Sequence, residues 1–429
     1  MLPMWQLVTP IIVSALRLLR QLRLRRAARR QALHLACLLS CTATLAAQQP
    51  LSLDEVLKQA MRANLDLRAS HLRVDSARAE VRIARAIPNP VVLVAPQNPY
   101  QYSVSVPLDV GPQRMYRVRA GEDGSSAAVS DVRDVERLIR FAVRSAFFDL
   151  LLADSVRVVT ADARDIFRDL LAADSARMRT GTVPERNLIT SELELAKAEA
   201  AVTHADASVR AARLSLQFLM GATRPDTGFR VTGSLAAVPL AEVEASADDS
   251  IVDRRADVQA AHLRTIASTN AKSLARAQLL PVPSVTLVQQ RAEPFPNGQH
   301  YALGVGAQLP VGNWFAGERA RASAVLEQSR VAELRTRVQA RTEITIALDQ
   351  FRAAAQLARQ LNAGLLEKAH SALETTRYAY RAGAISYVDL LDAVRTYGEI
   401  RVDAATAGHD YWVSAYAVAR ALDREIGQQ

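Results

Sequence analysis

The sequence predicts a mainly α chain with β, arranged as a tandem repeat in which each copy carries a β-hairpin and a long helical hairpin. Three observations carry this expectation. The first is an internal duplication. Asn64-Leu65-Asp66-Leu67-Arg68 returns as Arg255-Ala256-Asp257-Val258-Gln259, and Pro88-Asn89-Pro90 as Pro281-Val282-Pro283. Val106-Pro107-Leu108 returns as Leu309-Pro310-Val311, and Arg179-Thr180-Gly181-Thr182-Val183 as Arg381-Ala382-Gly383-Ala384-Ile385. Four weak matches in one order at a nearly constant offset make a strong repeat signal. The second is period-two alternation at matching places in both copies, and the third is a pair of very long stretches almost free of Pro and Gly.

The elements follow in order. Residues 1–47 read as a leader. Seven arginines and no acid precede an apolar run from Leu33 to Ala47, the form of a secretory signal. Two exits fit: cleavage near Ala46, or a lipobox at Leu38-Leu39-Ser40-Cys41 that would leave a lipidated Cys41 at the new N-terminus. The run is short for a transmembrane anchor, and a start downstream of Met1 fits as well. The leader also explains the charge. The chain has 53 Lys+Arg and 44 Asp+Glu, a formal +9, but seven of those bases and none of the acids lie in the first 50 residues. The remainder is nearly neutral, so the basicity does not point to nucleic acid. Both cysteines, Cys37 and Cys41, are in the leader, so the rest carries no disulfide, thiolate metal site or cysteine nucleophile.

Residues 48–221 form the first repeat, 222–246 a polar connection with Pro225, Gly228, Gly233 and Pro239, and 247–429 the second repeat. Ser52-Leu53-Asp54-Glu55 spells a capping box for the opening helix. Strands are expected at about 89–109 and 284–310. Tyr100, Tyr102, Val104, Val106 and Leu108 alternate with Gln101, Ser103 and Ser105; Tyr301, Leu303, Val305, Ala307 and Leu309 alternate with Ala302, Gly304, Gly306 and Gln308. About nine alternating residues suit a tilted membrane strand, and equally a soluble sheet with a tyrosine-bearing core face. No stretch after the leader is apolar enough for a membrane helix, so a membrane-spanning form has to be a closed barrel. Helices are expected at about 125–220 and 317–427. Leu138, Phe141, Ser145, Phe148, Leu152, Ser155 and Val159 step by three and four, as do Ile344, Leu348, Phe351, Ala355 and Ala358. The second long helix is expected to run from about Gly317 to Ala382 through Gly364, and each long helix turns at a glycine, Gly181 or Gly383.

Several stretches together carry a family resemblance: Leu51-Ser52-Leu53 with Asn64, Pro88-Asn89-Pro90, Leu219-Met220-Gly221, Leu279-Leu280-Pro281 and Leu309-Pro310. The most specific is Arg377-Tyr378-Ala379-Tyr380-Arg381-Ala382-Gly383-Ala384-Ile385-Ser386 followed by Asp389-Leu390-Leu391-Asp392-Ala393. With the leader and the repeat, the chain resembles the TolC family of bacterial outer-membrane efflux channels over roughly 50–425, and Pro88-Asn89-Pro90 resembles its CzcC-like heavy-metal subgroup. The resemblance implies a homotrimer whose protomers share a twelve-stranded β-barrel in outer-membrane lipid, with the helices forming a periplasmic tunnel. It implies a passive conduit fed by an RND-type or other inner-membrane pump through a periplasmic adaptor (membrane fusion) protein.

The resemblance also carries site residues. Asp389 and Asp392 match aspartates of the tunnel constriction; the alternative is two solvated acids near a helix start. Tyr380 matches the gate tyrosine, with Asn187 standing where family members have an aspartate and Ile385 where some have an arginine. The turns containing Gly181, Thr182 and Val183, and Gly383, Ala384 and Ile385, match the adaptor-docking tips. Catalysis finds no motif: seven histidines are scattered, and there is no phosphate loop or nucleophile elbow. No cofactor or bound metal is expected. A periplasmic adaptor and a structural coiled coil remain the competing expectations; the first needs one helical hairpin and the second needs no strands.

Overall fold

The computed structural model describes residues 50–96, 100–179, 184–237, 249–291, 300–310, 312–362 and 364–424. The described residues from Leu51 to Thr227 and from Val231 onward cluster as one compact unit. Cys41 and the first turn, Gly181, Thr182 and Val183, lie outside the described residues.

Helices α1 (Leu53–Ala63) and α2 (Leu65–Arg85) open the unit. Ser52 and Glu55 cap α1 reciprocally: the Glu55 amide donates to Ser52 Oγ at 3.4 Å, and the Ser52 amide donates to Glu55 Oε2 at 2.8 Å. Two amides that a helix start leaves unpaired are thereby satisfied. Asn64 separates the two helices, caps α2 by accepting from the Leu67 amide at 3.0 Å, and donates to Leu219 O at 2.8 Å.

Four strands, β1 (Val91–Ala95), β2 (Tyr100–Pro107), β3 (Pro283–Arg291) and β4 (His300–Ala307), make one antiparallel sheet in that order. The halves join through β2 and β3. The register aligns Val92, Val104, Leu287 and Leu303 in one row, and Val106, Val285 and Val305 in the next. Rows on the opposite face hold Ser105, Thr286 and Gly304, then Pro107, Ser284 and Gly306, and Thr286 Oγ1 donates to Ser105 Oγ at 3.0 Å. The soluble-sheet alternative required the apolar face to be covered by a core. Instead it stays open, with Tyr102 at 50 %, Leu303 at 74 % and Val305 at 80 % exposure. Among the described residues β1 and β4 each keep an unpaired edge.

Helix α3 (Pro112–Arg179) is 68 residues long, roughly 100 Å at 1.5 Å per residue. It begins well before the expected residue 125 and runs through Gly121 and Gly124. Glycine inside a helix costs about 1 kcal/mol relative to alanine, and packing offsets it at Gly121: a Cβ there would touch Ala84 Cβ at 3.5 Å and Val81 Cα at 3.6 Å, so α2 lies close on α3. The chain returns as α4 (Glu185–Leu219). The second repeat opens with α5 (Asp249–Arg254) and α6 (Ala256–Ala277) and closes with α7 (Ala316–Asn362), α8 (Leu365–Arg381) and α9 (Tyr387–Leu422). The single long helix expected over 317–382 is therefore two helices. Gly364 adopts φ 82°, left-handed backbone that an α-helix cannot contain. The seam of α3 matches the expected one only in part: Phe148 and Val159 are buried, but Leu138 is 42 % exposed, and a second buried row runs through Ile139, Val143, Ala146 and Leu150 at steps of four, three and four.

The duplication persists in how each half is closed. Asn64 binds the end of α4 at Leu219 O, and its repeat partner Arg255 binds the end of α9 at Ala421 O, 3.3 Å away. Just beyond, Gly221 and Asp423 both take left-handed backbone, at φ 75° and 51°. Arg255 is 1 % exposed and also pairs with Asp257 at 2.6 Å and Glu343 at 2.9 Å. A buried guanidinium is tolerable only when its charge is matched in this way. One apolar core, including Val258, Ile344, Leu348 and Val418, forms where α5, α6, α7 and α9 meet. A second, including Phe167, Leu170, Leu373 and Leu390, joins both helical hairpins near their turns.

Candidate functional site

Near the second turn lies a polar knot to which α3, α4, α8 and α9 each contribute one side chain. Its centre is Asp174 on α3, fully buried. Tyr380 of α8 donates its hydroxyl to Asp174 Oδ1 at 2.8 Å, and Ser191 of α4 donates to Oδ2 at 2.7 Å. Ser191 Oγ also lies 3.1 Å from the hydroxyl of Tyr387 on α9. The rings of Tyr380 and Tyr387 meet edge-on at 6.1 Å. Arg177 covers Tyr380, its guanidinium carbon 5.3 Å from the ring centroid, and donates to Arg381 O at 3.0 Å.

Electrostatics keep the knot's hydroxyls protonated. Burial, and then the hydrogen bond and charge of Asp174, hold the Tyr380 phenol far above its ordinary value. Burial raises Tyr387 as well. One helical turn beyond Ser191, Glu194 accepts from Lys197 at 3.0 Å and from Arg395 of α9 at 2.9 Å. Burial pushes that carboxyl upward, but these two cations outweigh it and hold Glu194 below the usual carboxylate range. Two α4–α9 links, one neutral and one ionic, therefore sit side by side.

Asp389 and Asp392 are exposed on the first turns of α9, three residues apart and thus on one face. Asp389 is part of a capping box: its Oδ2 accepts from Ser386 N at 3.0 Å and Ser386 Oγ at 2.7 Å, and its amide donates to Ser386 Oγ at 3.3 Å. Asp392 has no hydrogen bond or ion pair among the described residues. In the second turn Gly383 takes φ 74°, and the chain passes Ala384 and Ile385 into the Ser386 cap.

Tyr380 does not pair with Asn187. Its partner is Asp174, while Asn187 stands half-buried in the first turn of α4 with its amide donating to Pro184 O at 3.0 Å. Sequence reasoning missed Asp174 and Ser191, though a signal was present. Asp174 continues the spacing of Phe167 and Leu170, which puts an acid on an apolar stripe. Among the described residues no group of three or more His, Cys, Asp or Glu side chains could hold a metal ion, and no helix is long and apolar enough to cross a membrane.

Comparison with known proteins matches this architecture. The family model described as outer membrane efflux protein fits residues 56–222. The cobalt-zinc-cadmium resistance protein CzcC of Cupriavidus metallidurans is 25 % identical over 392 residues, covering 88 % of this chain and 90 % of the relative. The Campylobacter jejuni CmeC outer membrane channel superposes with a TM-score of 0.75 at 17 % identity, covering 86 % of this chain and 85 % of the channel. The Neisseria gonorrhoeae MtrE outer membrane channel, solved in its open state, superposes at 0.73 with 19 % identity, covering 87 % and 89 %. With the duplicated hairpins and the four-stranded sheet, these likenesses make the chain similar in sequence to outer membrane efflux proteins and to CzcC, and alike in fold to the solved outer-membrane channels.

Proposed function

We propose that the protein is the outer-membrane channel of a tripartite efflux system, a passive conduit assembled from three copies. One observation carries the reading: an antiparallel sheet with a largely apolar exposed face, an opposite face on which β2, β3 and β4 carry mostly small or polar residues, and two edges unpaired among the described residues. Exposed edges are a liability unless paired, and four strands are too few to close a barrel. Three copies give twelve strands, with the apolar rows toward lipid and Ser105, Thr286 and Gly304 toward the lumen. A periplasmic adaptor would meet the turns around Gly181–Val183 and Gly383–Ile385, and an inner-membrane pump would drive export. The CzcC relative makes divalent cations such as cobalt, zinc and cadmium the proposed cargo.

In this reading Asp389 and Asp392 line the narrow end of the tunnel. Six carboxylates in a ring favour cations over anions, and Asp389 keeps its charge outward while accepting the Ser386 cap. Tyr380 and Asp174 form the latch that holds the two hairpins together. Protein extracted from outer membranes with detergent should have the mass of a trimer and conduct ions in planar bilayers. Asp389→Ala with Asp392→Ala should move the reversal potential in a salt gradient toward zero; an unchanged reversal potential removes the ring from the model.

A further inference from the structure

We propose that the mature chain starts after Ala46 with an unacylated N-terminus, because a lipid on Cys41 is tethered too far from the membrane that holds the sheet. The inference rests on the channel reading above, in which the sheet lies in the outer membrane. Both exits of the leader fit the sequence, and the fold separates them by length.

The level of Leu51 is fixed by its contacts. Leu51 forms a parallel bridge with Val231, and its carbonyl accepts from the Thr232 amide at 2.9 Å. Next to Thr232, Gly233 lies against α3: a Cβ there would be 2.9 Å from Leu151 Cδ1 and 3.0 Å from Phe147 Cε1. Phe147 is 35 residues along α3 from its start at Pro112, about 52 Å at 1.5 Å per residue. The sheet ends before Pro112, where the Leu108 amide donates to Pro283 O at 2.7 Å. Leu51 therefore sits about 50 Å from the sheet. Helix α2 agrees. Its end lies beside the start of α3, with Arg117 Nε donating to Ala84 O at 2.9 Å and Arg114 to Arg85 O at 2.8 Å. From Arg85 back to Leu65 is 20 residues, about 30 Å further from the sheet, and α1 and Leu51 come before that.

Cys41 precedes Leu51 by ten residues. A chain covers at most about 3.6 Å per residue, so these ten span at most about 36 Å whatever conformation they take. A glyceryl thioether adds a few ångströms, and the anchor still falls about 10 Å short of the sheet. Acyl chains left in water are strongly unfavourable, so an acylated Cys41 would have to unpack α1. That helix is held at both ends and along its face. The Ser52–Glu55 box closes its start, Val56 and Ala60 are fully buried, and Asn64 donates to Leu219 O. Cleavage after Ala46, with Thr44 and Ala46 at the small positions, needs no such change.

The test is the N-terminal sequence and intact mass of the protein purified from outer membranes after expression of the full chain. The mature form should begin at Ala47 and carry no acyl mass. Cys41→Ala should leave the yield of outer-membrane trimer unchanged; loss of that trimer overturns the proposal. A lipoprotein leader placed directly before Cys41 tests the length itself. With residues 42–50 as they are, the acylated chain should lose the trimer, and about 30 Gly/Ser residues inserted after Gln49 should restore it, since such a linker is a flexible coil long enough to close the gap. Full trimer yield from the short acylated chain overturns the proposal. Acylated Cys41 on trimers that conduct ions removes this inference alone, whereas a chain missing from the outer membrane removes the channel reading with it.

Discussion

Single side chains decide how the two hairpins are tied. Asp174 is fully buried and accepts from two neutral hydroxyls, so each donor matters. Tyr380→Phe keeps the ring against Tyr387 and Arg177 but removes one donor. It should cost about 1–3 kcal/mol, the penalty for leaving a buried acceptor short, read as a shift in the denaturation midpoint. If the knot is also the latch, the same variant should raise the open probability in single-channel records. His409 sets a second tie. Its Nε2 lies 2.7 Å from Asp149 on α3 and its Nδ1 2.9 Å from Asp410. Burial opposes the charged ring, but the two carboxylates outweigh it and raise the His409 pKa. A raised folded-state pKa stabilises fully below the unfolded value of about 6.5 and is lost as pH rises through the folded value. His409→Gln should therefore lower the melting temperature at pH 5.5–6, and much less at pH 9. The partners at this scale were poorly legible in the sequence. Tyr380 was singled out, but Asp174 lies 206 residues away, and only the folded hairpins show that it, rather than Asn187, faces the phenol.

At the scale of elements, local rules account for most starts and stops. The Ser52 and Ser386 boxes, the Asn64 cap and the glycine turns are short-range chemistry, written in four or five consecutive residues. Long-range packing set the rest. Helix α3 reaches back through Gly121 because α2 packs on it there, which no propensity scale contains. Gly364 breaks the second long helix although its neighbours suit a helix, since the backbone takes φ 82° at that point. The connection between the halves is fixed similarly. Gly408 on α9 faces Leu235, whose carbonyl oxygen would lie 2.2 Å from an added Cβ, and Trp412 Nε1 donates to Ala236 O at 3.1 Å. Gly408→Ala must push that segment off α9 and should cost about 1–3 kcal/mol, as overpacking does, visible as a lower melting temperature. Gly398→Ala on the same helix is the control, because its nearest contact would be Val159 Cγ1 at 4.0 Å.

At the scale of the whole molecule, the mainly helical class with two β-hairpins was legible from alternation, repeat and helix length together. Whether the sheet closes with further copies is not written in a single chain, which holds only its own four strands. The order β1-β2-β3-β4 has a consequence for heredity. Its two free edges come from different halves of the chain, so in a ring each junction sets β4 of one copy against β1 of the next. Every copy is then needed at two junctions, and one defective edge breaks the whole ring. Leu303→Pro with Gly304→Pro removes an amide donor on both sides of β4. Made beside the unaltered chain in equal amounts, this variant should leave roughly one ring in eight free of it, if three copies mix at random. The expected phenotype is genetic dominance: a cell with one good and one bad gene copy should lose most of its channel activity, rather than half.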